Sequence, residues 1–118
     1  MTHFTLAALQ ALCERALANA GANADMARAT ALALVDAEAQ GLASHGVARV
    51  TQYSTHLRNG RADGSATPAV VNARGGAALV DARCGLAFPA CALAVAEGVR
   101  RARESGVAFV GITNSHHF

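Results

Sequence analysis

The chain has 118 residues and a formal net charge of +2; 53% of it is apolar but only 4% aromatic. That is the size of one ordinary domain, and apolar content supplied largely by alanine makes a thin core, which favours further burial against a partner or additional chain. All ten basic residues are arginine, and their one short cluster, Arg100, Arg101 and Arg103, reads as a solvated helix end rather than a nucleic-acid surface.

The first element is predicted over Thr5 to Ala20. Leu6, Leu9, Cys13, Ala16 and Leu17 recur at helical spacing, and Gly21 closes the run as a C-terminal punctuator. Glu14 and Arg15 interrupt its apolar stretch and no basic segment precedes it, which argues against a signal peptide. Asn23 is placed to cap a second helix running to about Leu42. Ser44 is placed to cap a third, His45 to Arg58, which stops at Asn59-Gly60. The grammar then changes. "RADGSATP" is a loop by composition. "AVVNARGGAALVDAR" divides into two short strands, near Ala69 to Ala73 and Ala77 to Ala82, joined at Gly75-Gly76 as a tight hairpin. A fourth helix follows from Phe88 to Glu104, with Pro89 tolerated in its first turn, and Ser105-Gly106 ends it. "VAFVGIT", Val107 to Thr113, is the short apolar run of a buried strand. The predicted fold is α/β: a three-helix segment, then a β-β-α-β start of a mixed sheet with a crossover helix. No run is long and apolar enough to span a membrane.

Cys13, Cys84 and Cys91 form an odd set without a CxxC pair. This argues against a disulfide framework and against a closed zinc site, and for a reducing compartment. The cytoplasm is therefore expected, with neither membrane nor nucleic acid as a partner and no metal.

Chemistry concentrates in two places. Read as one helix at about 100° per residue, "ASHGVARVTQYSTHLR" carries His45, Arg49, Gln52 and His56 on a single polar stripe, with Tyr53 at its edge and Val47, Val50, Ser54 and Leu57 opposite. Arginine offers a planar fork to a carboxylate, and a neighbouring histidine exchanges a proton near neutral pH. That combination suits a small 2-hydroxy or 2-oxo acid. The residues alone leave open an ordinary solvated stripe, in which Ser44 is only a cap. The second place is "NSHHF", Asn114 to Phe118, where adjacent His116 and His117 on extended chain point to opposite sides. Neither GxGxxG nor GxxxxGK[ST] is present, so no phosphate cradle is legible.

The segments "EAQGLASHGVARVTQY", "LRNGRADGSATP" and "VDARCGLAFPACALAVAEGVRRARESGVAFVGITNSHHF" together resemble the N-terminal part of the malate/L-lactate dehydrogenase family of the second, non-Rossmann type. That family includes ureidoglycolate dehydrogenase, sulfolactate dehydrogenase and a cyclic imino acid reductase. The pieces that carry the resemblance are S-H-G-x-x-R-x-x-x-Y, N-S-x-H-F and the D-x-x-x-G between them. It implies an oxidoreductase moving a hydride between NAD or NADP and C2 of a small 2-hydroxy/2-oxo (or 2-imino) acid, generally as a homodimer. It implies that His45, with Ser44 beside it, handles the proton, that Arg49 holds the carboxylate, that Tyr53 lines the pocket, and that His117 lies near substrate and nicotinamide. His116 falls on the variable position of its motif and inherits nothing. Gln40 and Phe88 stand where the family often has arginine and glutamine. Residues 1–62 would be a helical segment carrying the substrate side, and 63–118 the beginning of a cofactor-binding domain. Family members are several times longer, so the resemblance implies a fragment, inactive by itself. A non-catalytic helical interaction module is the alternative expectation.

Overall fold

The structure, a computed structural model, describes residues 2–116. Its elements run α1 (Leu6–Asn19), α2 (Ala24–Ala39), a short 3-10 turn (Ala43–His45), α3 (Arg49–Arg58), β1 (Ala69–Arg74), β2 (Ala77–Asp81), α4 (Ala87–Ser105) and β3 (Phe109–Thr113). The α/β order expected from the sequence is the order found.

Side chains fix the helix starts. Thr5 Oγ1 accepts the Ala8 N–H at 3.1 Å and opens α1. Asn23 Oδ1 accepts the Met26 N–H at 2.9 Å and opens α2, while Asn23 Nδ2 donates to the Ala66 carbonyl at 3.0 Å. The same residue thus caps a helix and pins the loop that leads into the sheet. Gly106 ends α4 in the left-handed region, with φ of 85°, the conformation glycine adopts at least cost.

The third helix differs from its sequence expectation. It begins at Arg49, not His45, because Gly46, at φ −99° and ψ −145°, leaves the helical region. Ser44 therefore caps nothing on α3; it lies inside the preceding 3-10 turn. His45 lies off α3, so the stripe that appeared to join it to Arg49 along one helix face does not exist in that form.

β1 and β2 form the antiparallel hairpin across Gly75-Gly76, with an irregularity between Val70 and Asn72. β3 then pairs parallel to β2, Leu79 opposite Gly111, after the α4 crossover. The sheet order is β1-β2-β3. Two apolar clusters result. One joins Cys13 and Leu17 of α1 to Met26, Ala31, Leu34 and Val35 of α2 and to Tyr53 and Leu57 of α3. The other sets Ala90 and Ala94 of α4 on Val80 and Ala82. Among the described residues no helix is long and apolar enough to cross a membrane.

Candidate active site

The 3-10 turn and the start of α3 hold three polar side chains in one chain of contacts. Ser44 Oγ and His45 Nδ1 share a hydrogen at 2.9 Å, which leaves the other ring nitrogen, Nε2, for a second partner. Arg49 Nε donates to the Ser44 carbonyl at 2.8 Å, and its Nη1 donates to Gln52 Oε1 at 2.7 Å. Two of the five guanidinium hydrogens are thereby used to aim the fork. No carboxylate pairs with Arg49 among the described residues, whose ion pairs all join Arg100 or Arg101 to glutamates of α4. His45 and Arg49 are thus neighbours, but through Ser44 rather than through a helical turn.

Tyr53 is not on an open stripe. It is 3% exposed and belongs to the helical core. Burial pushes its phenol up, and the nearby Arg49 charge pulls the other way. One edge of it meets Phe88 at 6.1 Å between ring centroids. Another meets the His116 ring at 5.6 Å and 90°, an edge-to-face contact.

Position 116, onto which the sequence carried no role, is a structural link. His116 Nε2 lies 2.6 Å from His56 Nδ1, so one imidazole donates to the other. This contact closes 60 residues of sequence and ties α3 to the turn after β3. With Gln52, Arg61 and Ser115 the two histidines line a cleft of about 300 Å³. His56 was legible as a member of the polar stripe, two turns after Arg49; its partnership with His116 was not, because nothing local marks a contact between a helix and a turn 60 residues away. His117, assigned a place near the nicotinamide by resemblance, lies outside the described residues.

The turn after β3 is built by Asp81. Its Oδ1 accepts the Arg83 N–H at 2.8 Å and the Asn114 amide Nδ2–H at 3.1 Å. The Cys84 N–H donates to the Asn114 carbonyl at 2.7 Å, and the His116 N–H to the Gly85 carbonyl at 3.0 Å. Arg83, Cys84 and Asn114 all adopt positive φ, 54°, 63° and 52°, an uncommon conformation for side-chain-bearing residues that surrounding bonds must hold in place. Residues 81–85 and 114–116 are therefore two halves of one hydrogen-bonded corner. No cluster of three or more metal-ligating side chains occurs among the described residues.

The sequence profile of the malate/L-lactate dehydrogenase family matches residues 4–118. The chain belongs to the malate/L-lactate dehydrogenase family. It is 48% identical over 92 residues to the NADP(+)-linked (2R)-3-sulfolactate dehydrogenase of Chromohalobacter salexigens, an alignment covering 78% of this chain and 27% of that protein. It is 40% identical over 110 residues to a Δ1-pyrroline-2-carboxylate/Δ1-piperideine-2-carboxylate reductase of Pseudomonas putida, covering 93% of the chain and 32% of the relative. Its structure superposes with a TM-score of 0.94 on the crystal structure of the Δ1-piperideine-2-carboxylate reductase of Pseudomonas syringae pvar. tomato, at 33% identity, over 100% of this chain and 36% of that one. The chain thus spans about a third or less of the length of the relatives it matches. It carries the mixed α/β fold of this family's dehydrogenases and reductases, with α3 tied through His56 and His116 to the corner where β2 and β3 end.

Proposed function

We propose that these residues form the substrate side of an NAD(P)H-dependent oxidoreductase acting on a small 2-hydroxy/2-oxo or 2-imino acid. The observation that supports this is Arg49. It is an oriented guanidinium without an acid partner among the described residues, joined through Ser44 to a histidine with a free-facing ring nitrogen. In this reading Arg49 binds the substrate carboxylate with its remaining N–H groups. His45 gives or takes the proton at the C2 oxygen or nitrogen, with the Ser44 hydroxyl hydrogen-bonded to its Nδ1. Tyr53 backs the pocket through its ring, and His117 is assigned to the opposite wall, beside the nicotinamide.

The cofactor supplies the hydride when bound. Ser115 lines the cleft, while Asn114 is already committed to Asp81 and Cys84. The residues present do not suit the cofactor's pyrophosphate. The glycine before α4, Gly85, is packed against Ala66 and Met26, so that helix start faces protein rather than a phosphate. In the same reading 1–62 is the substrate-side helical segment, 63–118 begins the cofactor-binding domain, and the full-length protein is a cytoplasmic homodimer.

The test is steady-state kinetics of the full-length protein with sulfolactate, malate, lactate and cyclic imino acids or their oxidised partners, using both cofactors. His45→Ala is expected to lower kcat by about 10²- to 10⁴-fold, the usual worth of a positioned acid/base. Arg49→Ala is expected to raise KM by roughly 10- to 100-fold, the worth of a charge-assisted hydrogen-bond pair. Wild-type kinetics in both variants sink the reading.

A further inference from the structure

We propose that Glu38 is a positioning residue for this reaction: its carboxylate holds the turn that presents His45 and Arg49 to the substrate. The inference rests on the roles just proposed for those two residues.

The chain leaves α2 at Ala39 and must reverse before α3 starts at Arg49. Backbone N–H groups in such a reversal need partners. At the point where Gly46 breaks the helical course, the Val47 N–H donates to Glu38 Oε2 at 2.9 Å, in a partly buried contact across nine residues. An ionised carboxylate makes this one of the stronger bonds available to a backbone amide. Glu38 also stands close enough to the buried Cys13 of α1 for its charge to raise that thiol, second to burial.

Gly46 gives an independent indication. Its φ of −99° lies outside the left-handed region, and what marks the position is the space around it. A Cβ at position 46 would collide with Glu38 Oε2 and approach its Cδ and Cβ to 3.0 and 3.1 Å. Those three atoms all belong to Glu38. The glycine of S-H-G keeps room for one carboxylate, and that carboxylate binds the next amide along.

Both reacting side chains hang on this point. His45 precedes Gly46 directly. The Arg49 N–H donates to the Gly46 carbonyl at 3.0 Å, and Arg49 Nε reaches back to Ser44. Releasing Val47 therefore moves the histidine and the arginine relative to each other, and displacements on the order of 1 Å are known to cost catalysis about 10²-fold.

The experiment compares Glu38→Gln, Glu38→Ala and Glu38→Asp in the full-length enzyme, with Gly46→Ala alone and combined with Glu38→Ala. Glutamine keeps an acceptor oxygen at the same reach and is expected to stay within about threefold of wild type in kcat/KM. Alanine, and aspartate one methylene short, are expected to lose 10-fold or more, with KM rising as well as kcat falling. A merely structural defect lowers the fraction of active enzyme, and hence apparent kcat, but leaves KM in place. Gly46→Ala is expected to resemble Glu38→Ala, and to cost little more once Glu38 is already alanine. An unchanged KM in Glu38→Ala, or a Glu38→Gln as impaired as Glu38→Ala, overturns the positioning role. Failure of the underlying reading shows elsewhere, as wild-type kinetics in His45→Ala and Arg49→Ala.

Discussion

At the scale of single residues, Asp81 does more than its half-buried position at a strand end suggests. The Arg83 N–H first, and then the Asn114 amide, hold its carboxyl below the ordinary aspartate range. A group whose folded pKa is depressed contributes stability that is complete above its unfolded value and lost as pH falls through the folded one. Acidification below about pH 4 is therefore expected to loosen the corner formed by Arg83, Cys84 and Asn114. Asp81→Asn, which keeps an acceptor but cannot ionise, should show a shallower loss of urea midpoint between neutral pH and the acid limb. An identical acid limb in wild type and variant would show that the corner does not depend on this carboxylate's charge. Residue chemistry was partly legible. Arg49 and His45 drew notice by type and proximity, and the structure joins them, though through the Ser44 carbonyl and hydroxyl. Glu38 drew none, and His116 was noticed but given no role. Each acts through a contact, to Val47 N–H and to His56, that depends on how separate elements meet.

At the scale of elements, caps and punctuators carried the reading well. Asn23, Gly21 and Gly106 stand at or beside the helix ends where local chemistry placed them. The reading failed where a tertiary bond outcompeted a local one. Ser44 has the composition of a cap, but the Val47 N–H is taken by Glu38, and the helix begins at Arg49, four residues after the expected His45. Asn23 illustrates the opposite case, in which a local cap gains a tertiary partner. Asn23→Asp keeps the acceptor for Met26 but loses the donor to Ala66, whereas Asn23→Ala loses both. Chemical denaturation should rank them, with alanine costing about 1–2 kcal/mol and aspartate less. Equal losses would mean that only one of the two bonds matters.

At the scale of the molecule, the helices and the sheet rest on separate apolar clusters, bridged by the loop that Asn23 holds and by the contact of His56 with His116. Leu34, 2% exposed, lies in the first; Val80, fully buried, lies in the second. Leu34→Ala is expected to cost about 2–5 kcal/mol. If the two clusters unfold together, Val80→Ala lowers a single transition seen by both helical and sheet probes. Two separated transitions would show instead that the clusters melt independently. The mixed sheet and its crossover were legible because glycine pairs and apolar runs mark strand ends. Which end of the sheet the helical segment would lie against was not, since that depends on contacts as distant as 60 residues.

The ring arrangement around Tyr53 has an optical consequence. These 118 residues hold one tyrosine and no tryptophan, and that phenol is enclosed between Phe88 and the imidazole of His116. Its ultraviolet emission therefore arises where α3 meets the turn beyond β3. Parting those two surfaces would strip an aromatic neighbour from the lone fluorophore and change its brightness, so this stretch of chain carries its own built-in gauge of whether the cleft is open or shut.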